Sequence, residues 1–409
     1  MGRYSKLIMV TPDNNNKVYI LEEDGDVVKI KRGRIDSYLK DEEPKPISDF
    51  DKILSSKIKK GYKDVTHLVA EKVTSTGLKV NYTDIPDSVV KQVIEKLLAY
   101  ANKVIEDNYS VKSTSVTQVQ VDEAQVILND LSTMIKMNNH TADINQKLLD
   151  LYHVIPRRMN HIKNYLLQFE KITTDDELQK AQKFFSDEQD TLDSMAGQVM
   201  INTATADNTV VVENKTILDT LGIKIERVND GETKMIKKML NTLSNKLTHA
   251  FKVINMKTQK RFDEWVENSK NKKTELFWHG SRNQNFISIL QTGMLIRPSG
   301  SIHTGSMFSD GIYMADKAEK SLGYSSLSGS FWSKGTDNTG YMAIFDVHVG
   351  NQKHIYKHDS SCYNITEKNL TEKGFDSAFA HGGADLRNNE FIVYRPERCT
   401  IKYLVELKH

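Results

Sequence analysis

The spacing of apolar residues changes twice along this 409-residue chain, and that change predicts a multidomain α+β fold. Near the N-terminus Val18-Tyr19-Ile20-Leu21, a turn at Asp24-Gly25 and Val27-Val28-Lys29-Ile30 read as a hairpin, with Leu78 to Tyr82 alternating like a closing strand. From Asp84 the period becomes helical. Asp87 and Ser88 offer caps, and Val89, Val90, Val93, Ile94, Leu97, Leu98, Ala101, Val104 and Ile105 recur on one helix face. Further apolar sets at Val126 to Ile135, at Leu148 to Ile155 and through Leu192 and Met195 predict more helices, ended by a polar linker, Asn202 to Asn208. Beyond it come a helix near Glu232 to Leu247, a strand near Ala250 to Met256, and short strands punctuated by glycines from Gly293 to Gly383. The expected division is a small β-rich domain over 1–83, an all-helical domain over 84–205 and a strand-rich mixed α+β domain over 206–409.

Composition excludes several classes. A formal charge of +2 gives no bulk positive field, so any nucleic-acid site has to be a local patch, as at Arg32, Arg34 and the lysines Lys57, Lys59, Lys60 and Lys63. Two distant cysteines, Cys362 and Cys399, make no disulfide framework and suit a reducing compartment. No segment approaches the ~20 apolar residues of a membrane helix. The expectation is a soluble intracellular protein with no membrane partner, nuclear in a eukaryote and otherwise cytoplasmic.

Chemistry-bearing residues gather late in the chain. His279-Gly280-Ser281 follows the apolar run Leu276-Phe277-Trp278, which places the histidine where a strand ends. Gly311-Ile312-Tyr313 and Lys320-Ser321-Leu322-Gly323-Tyr324 follow, and Asn389-Glu390-Phe391-Ile392-Val393-Tyr394 sets a carboxylate at the head of a strand. Two tyrosine faces, a hydroxyl, an open glycine backbone and a carboxylate suit a flat aromatic ligand carrying an amide and a ribose, such as nicotinamide riboside. A charge heading an apolar strand is costly unless it is used. His354, His358 and Cys362 have four-residue spacing that could share a helix face, but the region reads as loop and no fourth ligand is evident, so no metal is expected.

Trp278-His279-Gly280-Ser281, Gly311-Ile312-Tyr313, Lys320-Ser321 and Asn389 to Tyr394 closely resemble the motifs of poly(ADP-ribose) polymerases, whose triad is His-Tyr-Glu. The resemblance implies an ADP-ribosyltransferase that uses NAD+ as substrate without a metal, releases nicotinamide, modifies protein acceptors, itself included, and, through the glutamate of its triad, polymerises ADP-ribose on them. It implies that His279 bonds the adenosine-side ribose, that Gly280 and Ser321 hold the carboxamide, and that Tyr313 and Tyr324 enclose the nicotinamide ring. Ser281 completes the first motif, Lys320 lies beside the catalytic glutamate, and Glu390 is that glutamate. A tyrosine frequent in relatives is replaced by Ser306, ahead of Met307-Phe308, and the stretch from Ile355 to Asn389 is short for the acceptor loop.

Leu149 to Pro156 resembles the end of the helical regulatory domain of DNA-dependent relatives, which in the family blocks NAD+ access until it loosens. Arg32-Gly33-Arg34 and Lys60-Gly61-Tyr62 resemble a WGR domain, with Arg32 where the tryptophan would stand. DNA ends or breaks are the partner this implies. A mono-ADP-ribosyltransferase, an NAD glycohydrolase and a DNA-binding scaffold with weak catalysis are the alternative readings.

Overall fold

The computed structural model describes residues 2–35, 37–69, 84–109, 116–138, 140–206, 216–296 and 307–409. Contacts group them into two units: Met1–Ser75 with Lys103–Val199, and Thr76–Asn102 with Met200–Ser299 and Gly305–His409. The closing strand expected at Leu78 to Tyr82 lies outside the described residues, as does Ser306.

In the first unit β1 (Tyr4–Thr11), β2 (Asn15–Asp24), β3 (Val27–Arg34), β4 (Lys40–Pro46), α1 (Phe50–Lys59) and β5 (Lys63–Asp64) form an antiparallel sheet in the order β4-β3-β2-β1-β5 with one helix. The expected hairpin is β2–β3. Asp24 pairs with Val27, and Gly25 takes φ +61°, a conformation glycine adopts at no steric cost. Alternation along the strands gives two apolar faces. Leu7, Tyr19, Leu21, Val28 and Ile30 pack with Phe50, whereas Ile8, Val10 and Val18 join the helices' core.

Those helices are the later part of α2 (Ser88–Asn108), α3 (Gln118–Lys136), α4 (Thr141–Val154) and α5 (Asp175–Ala206). A capping box starts α3: the Thr117 hydroxyl accepts from the Gln120 amide, and the Gln120 side chain accepts from the Thr117 amide. Leu128, Leu131, Ile135, Leu148, Tyr152, Phe185 and Met195 fill the core between them. His153 is buried there in a fixed tautomer, since its Nδ1 donates to the Leu149 carbonyl at 2.6 Å and its Nε2 accepts from the Val10 amide at 3.2 Å. The expected linker at Asn202 is helical instead, because α5 continues through Ala206.

The all-helical stretch is not one body. Val90, Val93, Ile94 and Leu97, the early part of α2, lie in the core of the second unit with Phe251, Phe277 and Phe345, whereas Ile105 lies in the core of the first. Lys96, also on α2, pairs at 3.3 Å with Glu406, a fully buried carboxylate that also accepts from His249 Nδ1 at 2.6 Å and from the Tyr341 hydroxyl at 3.2 Å. Three partners offset the cost of burying that charge.

The second unit continues with α6 (Ile217–Thr220), β6 (Ile223–Arg227), α7 (Asp230–Leu240), β7 (Leu247–Asn255), α8 (Met256–Asn268), β8 (Thr274–Gly280), α9 (Phe286–Thr292) and β9 (Ile312–Met314). It ends with α10 (Ala318–Leu322), β10 (Thr339–His348), β11 (Gln352–Ile355), α11 (Glu367–Thr371), β12 (Ser377–Ala380), β13 (Glu390–Val393) and β14 (Cys399–Lys408). The helix expected over Glu232 to Leu247 stops at Leu240, where Asn241 turns to φ +52°, and the strand expected from Ala250 begins at Leu247. Two sheets result, β6-β7-β14-β10-β8 and β11-β12-β13-β9. β10, between β14 and β8, is buried on both faces: Tyr341, Ala343 and Phe345 go to one core, Met342 and Ile344 to another. Mutual backbone bonds between Trp278 and Ala315, at 2.8 and 3.0 Å, fasten the end of β8 to the end of β9. Among the described residues, no helix is long and apolar enough to cross a membrane.

Candidate active site

That fastening brings the motif residues together. His279, near the end of β8, donates from Nδ1 to the Tyr313 carbonyl on β9 at 3.3 Å. A carbonyl can only accept, so the neutral ring keeps its proton on Nδ1 and presents Nε2 as an acceptor. Although part of the residue stays accessible, burial of the imidazole holds its pKa down at about 4, against a smaller opposing effect of the Tyr313 bond. The ring is neutral near pH 7.

Gly280 has to be glycine. A Cβ there would lie 1.8 Å from the carbonyl oxygen of Ser321, so the end of β8 and α10 approach backbone to backbone. Ser321 is buried, and Ser281 accepts a hydrogen bond from Asn285 Nδ2 at 3.0 Å. Gly311 plays a similar packing role ahead of β9, where a Cβ would stand 2.4 Å from Ile392.

Tyr313 pairs in register with Ile392 of β13, and its hydroxyl donates to the Ser309 carbonyl at 2.7 Å while accepting from the Phe308 amide at 3.0 Å. The ring is thus pinned at both ends. Burial raises its phenol pKa, as it does that of Tyr324, where the nearby Glu390 charge adds to the shift.

Glu390 heads β13 opposite Ala380 and is 7 % exposed. Lys320, from α10, reaches it: Nζ lies 2.5 Å from Glu390 Oε1 and 3.1 Å from the Asn389 carbonyl. The other carboxylate oxygen, Oε2, is buried with no hydrogen-bond partner. Burial pushes the carboxyl pKa above its ordinary range, and the Lys320 ammonium pulls part of that back. Asn389 is itself fixed, donating to Asp316 at 2.7 Å and accepting from the Gly382 amide at 3.0 Å.

The N-terminal basic residues are placed differently. Arg32 pairs with Glu42, which also accepts from the Tyr19 hydroxyl at 3.1 Å. Arg34 donates to the carbonyls of Asn14 and Met159 at 3.2 and 3.3 Å, Lys63 pairs with Asp150, and Lys57 Nζ sits 3.7 Å from the centroid of the Tyr19 ring. Lys59 and Lys60 stay exposed at the end of α1.

His354, His358 and Cys362 share no helix face. His354 lies on β11 against His381 at 2.8 Å, His358 Nε2 donates to the Met307 carbonyl at 2.8 Å, and Cys362 is buried in a short turn. Among the described residues, no three His, Cys, Asp or Glu side chains are placed to hold a metal ion. Sequence reasoning did not single out Phe331 and Trp332, whose only signal is two adjacent aromatics in a Ser- and Gly-rich segment.

Comparison with known proteins identifies relatives of the chain. Residues 230–409 match the poly(ADP-ribose) polymerase catalytic domain family. An uncharacterised protein of Invertebrate iridescent virus 6 is 36% identical over 203 residues, 49% of this chain and 80% of the viral protein. A putative poly(ADP-ribose) polymerase-like protein of the same virus is 32% identical over 193 residues, 45% of this chain and 99% of its own length. Human poly(ADP-ribose) polymerase 2 is 28% identical over 158 residues, 32% of this chain and 26% of the human protein. The match to nearly the full length of the second viral protein, together with the catalytic-domain match, establishes that the chain belongs to the poly(ADP-ribose) polymerase family and is an NAD+ ADP-ribosyltransferase.

Proposed function

We propose that the enzyme transfers ADP-ribose from NAD+ to protein acceptors, itself included, releases nicotinamide, and extends the first unit into a polymer. The observation that carries this reading is Glu390: one oxygen is held by Lys320, and the other is buried without a partner. A buried carboxylate oxygen left unsatisfied is costly, and a ribose hydroxyl is the donor that would satisfy it.

His279 accepts an adenosine-side ribose hydroxyl at Nε2. The Gly280 backbone and the Ser321 hydroxyl hold the carboxamide, Tyr313 and Tyr324 enclose the ring, and Ser281 supports the strand end beside them. The acceptor oxygen bonds to C1′ of the nicotinamide ribose as the C1′–N bond breaks. The bonding pair goes to the ring nitrogen, nicotinamide leaves neutral, and the acceptor proton passes to the Glu390 carboxylate. Positive charge develops on the ribose in the transition state, and the same carboxylate stabilises it, an effect commonly worth on the order of 10²–10³ in rate.

Stimulation by DNA ends, through a sensor in 1–83 and a regulatory stretch in 84–205, is the finer part of the proposal. Lys59 and Lys60 support it as exposed lysines of that basic run. Purified full chain incubated with labelled NAD+, with and without broken DNA, tests both parts. A ladder that lengthens with DNA supports them. A single shifted band means mono-transfer, free ADP-ribose means a glycohydrolase, and no effect of DNA removes the sensor.

A further inference from the structure

Phe331 and Trp332 are 69% and 60% exposed, an unusual position for two adjacent large aromatics. They are also firmly held. The Trp332 and Ser333 amides donate to the Gly323 carbonyl at 2.8 and 3.0 Å, and the Ser330 hydroxyl donates to the Leu322 carbonyl at 2.9 Å. The Ser328 amide donates to the Asp337 carbonyl at 2.7 Å, and the Asp337 amide to the Ser326 carbonyl at 2.9 Å. Gly323 is glycine for the same reason: a Cβ there would meet Trp332 at 2.8 Å. A segment braced this way fixes the backbone that carries the two rings, so their exposure is a property of the fold.

The arrangement has a shape. Trp332 lies nearly parallel to Tyr324, 20° between planes and 6.2 Å between centroids, and Phe331 stands edge-on to Trp332 at 4.6 Å and 89°. The two exposed rings stand perpendicular to one another, and their exposed surface is of the kind on which a further flat ring stacks or packs edge-on. The segment from Ser325 to Gly340 carries only Lys334 and Asp337 as charges and is rich in hydroxyls, which suits a base with its ribose better than a charged peptide. Tyr324, which borders Trp332, is close enough to Glu390 for its phenol to feel that charge.

We propose that Phe331 and Trp332 form an acceptor platform that stacks the adenine of the terminal ADP-ribose on a growing chain, making them specificity-determining residues for elongation. This rests on the polymer-forming reading above. The transfer step is the one already given, with a hydroxyl of the terminal unit as acceptor oxygen.

The test compares full-length wild type with Phe331→Ala and Trp332→Ala, measuring in one reaction both the NAD+ consumed and the chain length. Stacking of a base on an aromatic side chain supports an expected loss of elongation about tenfold greater than any loss of NAD+ turnover. A parallel fall in both, or an unchanged ladder, overturns the platform, the first because Trp332 then only braces Tyr324. Binding gives an independent readout. With the donor site saturated by a non-hydrolysable NAD+ analogue, added ADP-ribose should quench tryptophan emission in wild type and lose that effect in Trp332→Phe. If wild type makes no polymer, the polymer reading fails by itself, and this arm decides the platform: quenching keeps it as an ADP-ribose site, and no quenching removes it.

Discussion

Lys320 holds Glu390 by one oxygen only: Nζ is 2.5 Å from Oε1, while Oε2 is buried without a partner. The lysine opposes the effect of burial on the carboxyl pKa, and the second oxygen has no hydrogen-bond partner. Lys320→Met removes the group that pulls the Glu390 pKa back down, so that pKa rises further. The reaction needs the ionised carboxylate, and activity is lost as pH falls through this pKa. The acid limb of the kcat profile should therefore move to higher pH in the variant. A limb that stays where it is in wild type would dissociate Lys320 from the chemistry.

Gly280→Ala tests the close approach to Ser321. With 1.8 Å between the added carbon and a backbone oxygen, the end of β8 or α10 has to shift. The expectation is a loss of NAD+ affinity larger than any change in melting temperature, read by titration calorimetry and thermal melts of the same preparation. Wild-type affinity would mean that the two backbones need not touch for the site to form.

Acid should destabilise both units. His153 and His279 have pKa values of about 4 in the fold, against 6.5 ordinarily. Above pH 6.5 both are neutral in the folded and the unfolded chain, and stability does not depend on them. As pH falls from 6.5 toward 4 only the unfolded chain takes up their protons, which costs at most about 3 kcal/mol for each fully buried ring, and less for the part-exposed His279. Chemical denaturation across that window should show midpoints falling with pH, with His153→Gln flattening the slope. An identical slope in the variant would assign the effect to other groups.

Some of this was legible in the sequence and some was not. The hairpin at Asp24-Gly25 was readable because a two-residue turn with glycine between alternating strands is a local signal. The clustering of His279, Tyr313, Lys320 and Glu390 was readable only through the family motifs, since their separations carry no geometric meaning until β8, β9 and β13 are paired. The fate of α2 was not readable. Helical spacing identified its apolar face, but Val93 and Ile105 go to different cores, and periodicity cannot say what an apolar face meets. The basic run failed to reveal its partners for a related reason: Glu42, Asn14, Met159 and Asp150, which engage Arg32, Arg34 and Lys63, are distant or unremarkable in sequence.

Leu97 is fully buried in the core of the second unit, although it belongs to the stretch expected to be a separate helical domain. Leu97→Ala should cost that unit about 2–5 kcal/mol, as large-to-small changes in a core do. Denaturant unfolding followed by amide exchange in β10 and β14 reports it. If those strands exchange as in wild type, the early part of α2 is not part of their core. A fragment beginning near Thr209 lacks these residues, so its activity reports the loss of core packing together with the loss of any regulatory stretch.

The central claim is that Glu390 is the catalytic carboxylate of an ADP-ribosyltransferase, and the most direct measurement is transfer from labelled NAD+ by wild type and by Glu390→Gln. The amide retains the shape and can still hydrogen-bond a ribose hydroxyl, but it carries no charge to stabilise the developing ribosyl cation. The account predicts NAD+ binding close to wild type and a transfer rate lower by on the order of 10²–10³, with elongation largely lost. A Glu390→Gln enzyme that binds NAD+ and forms product at the wild-type rate and length would contradict it.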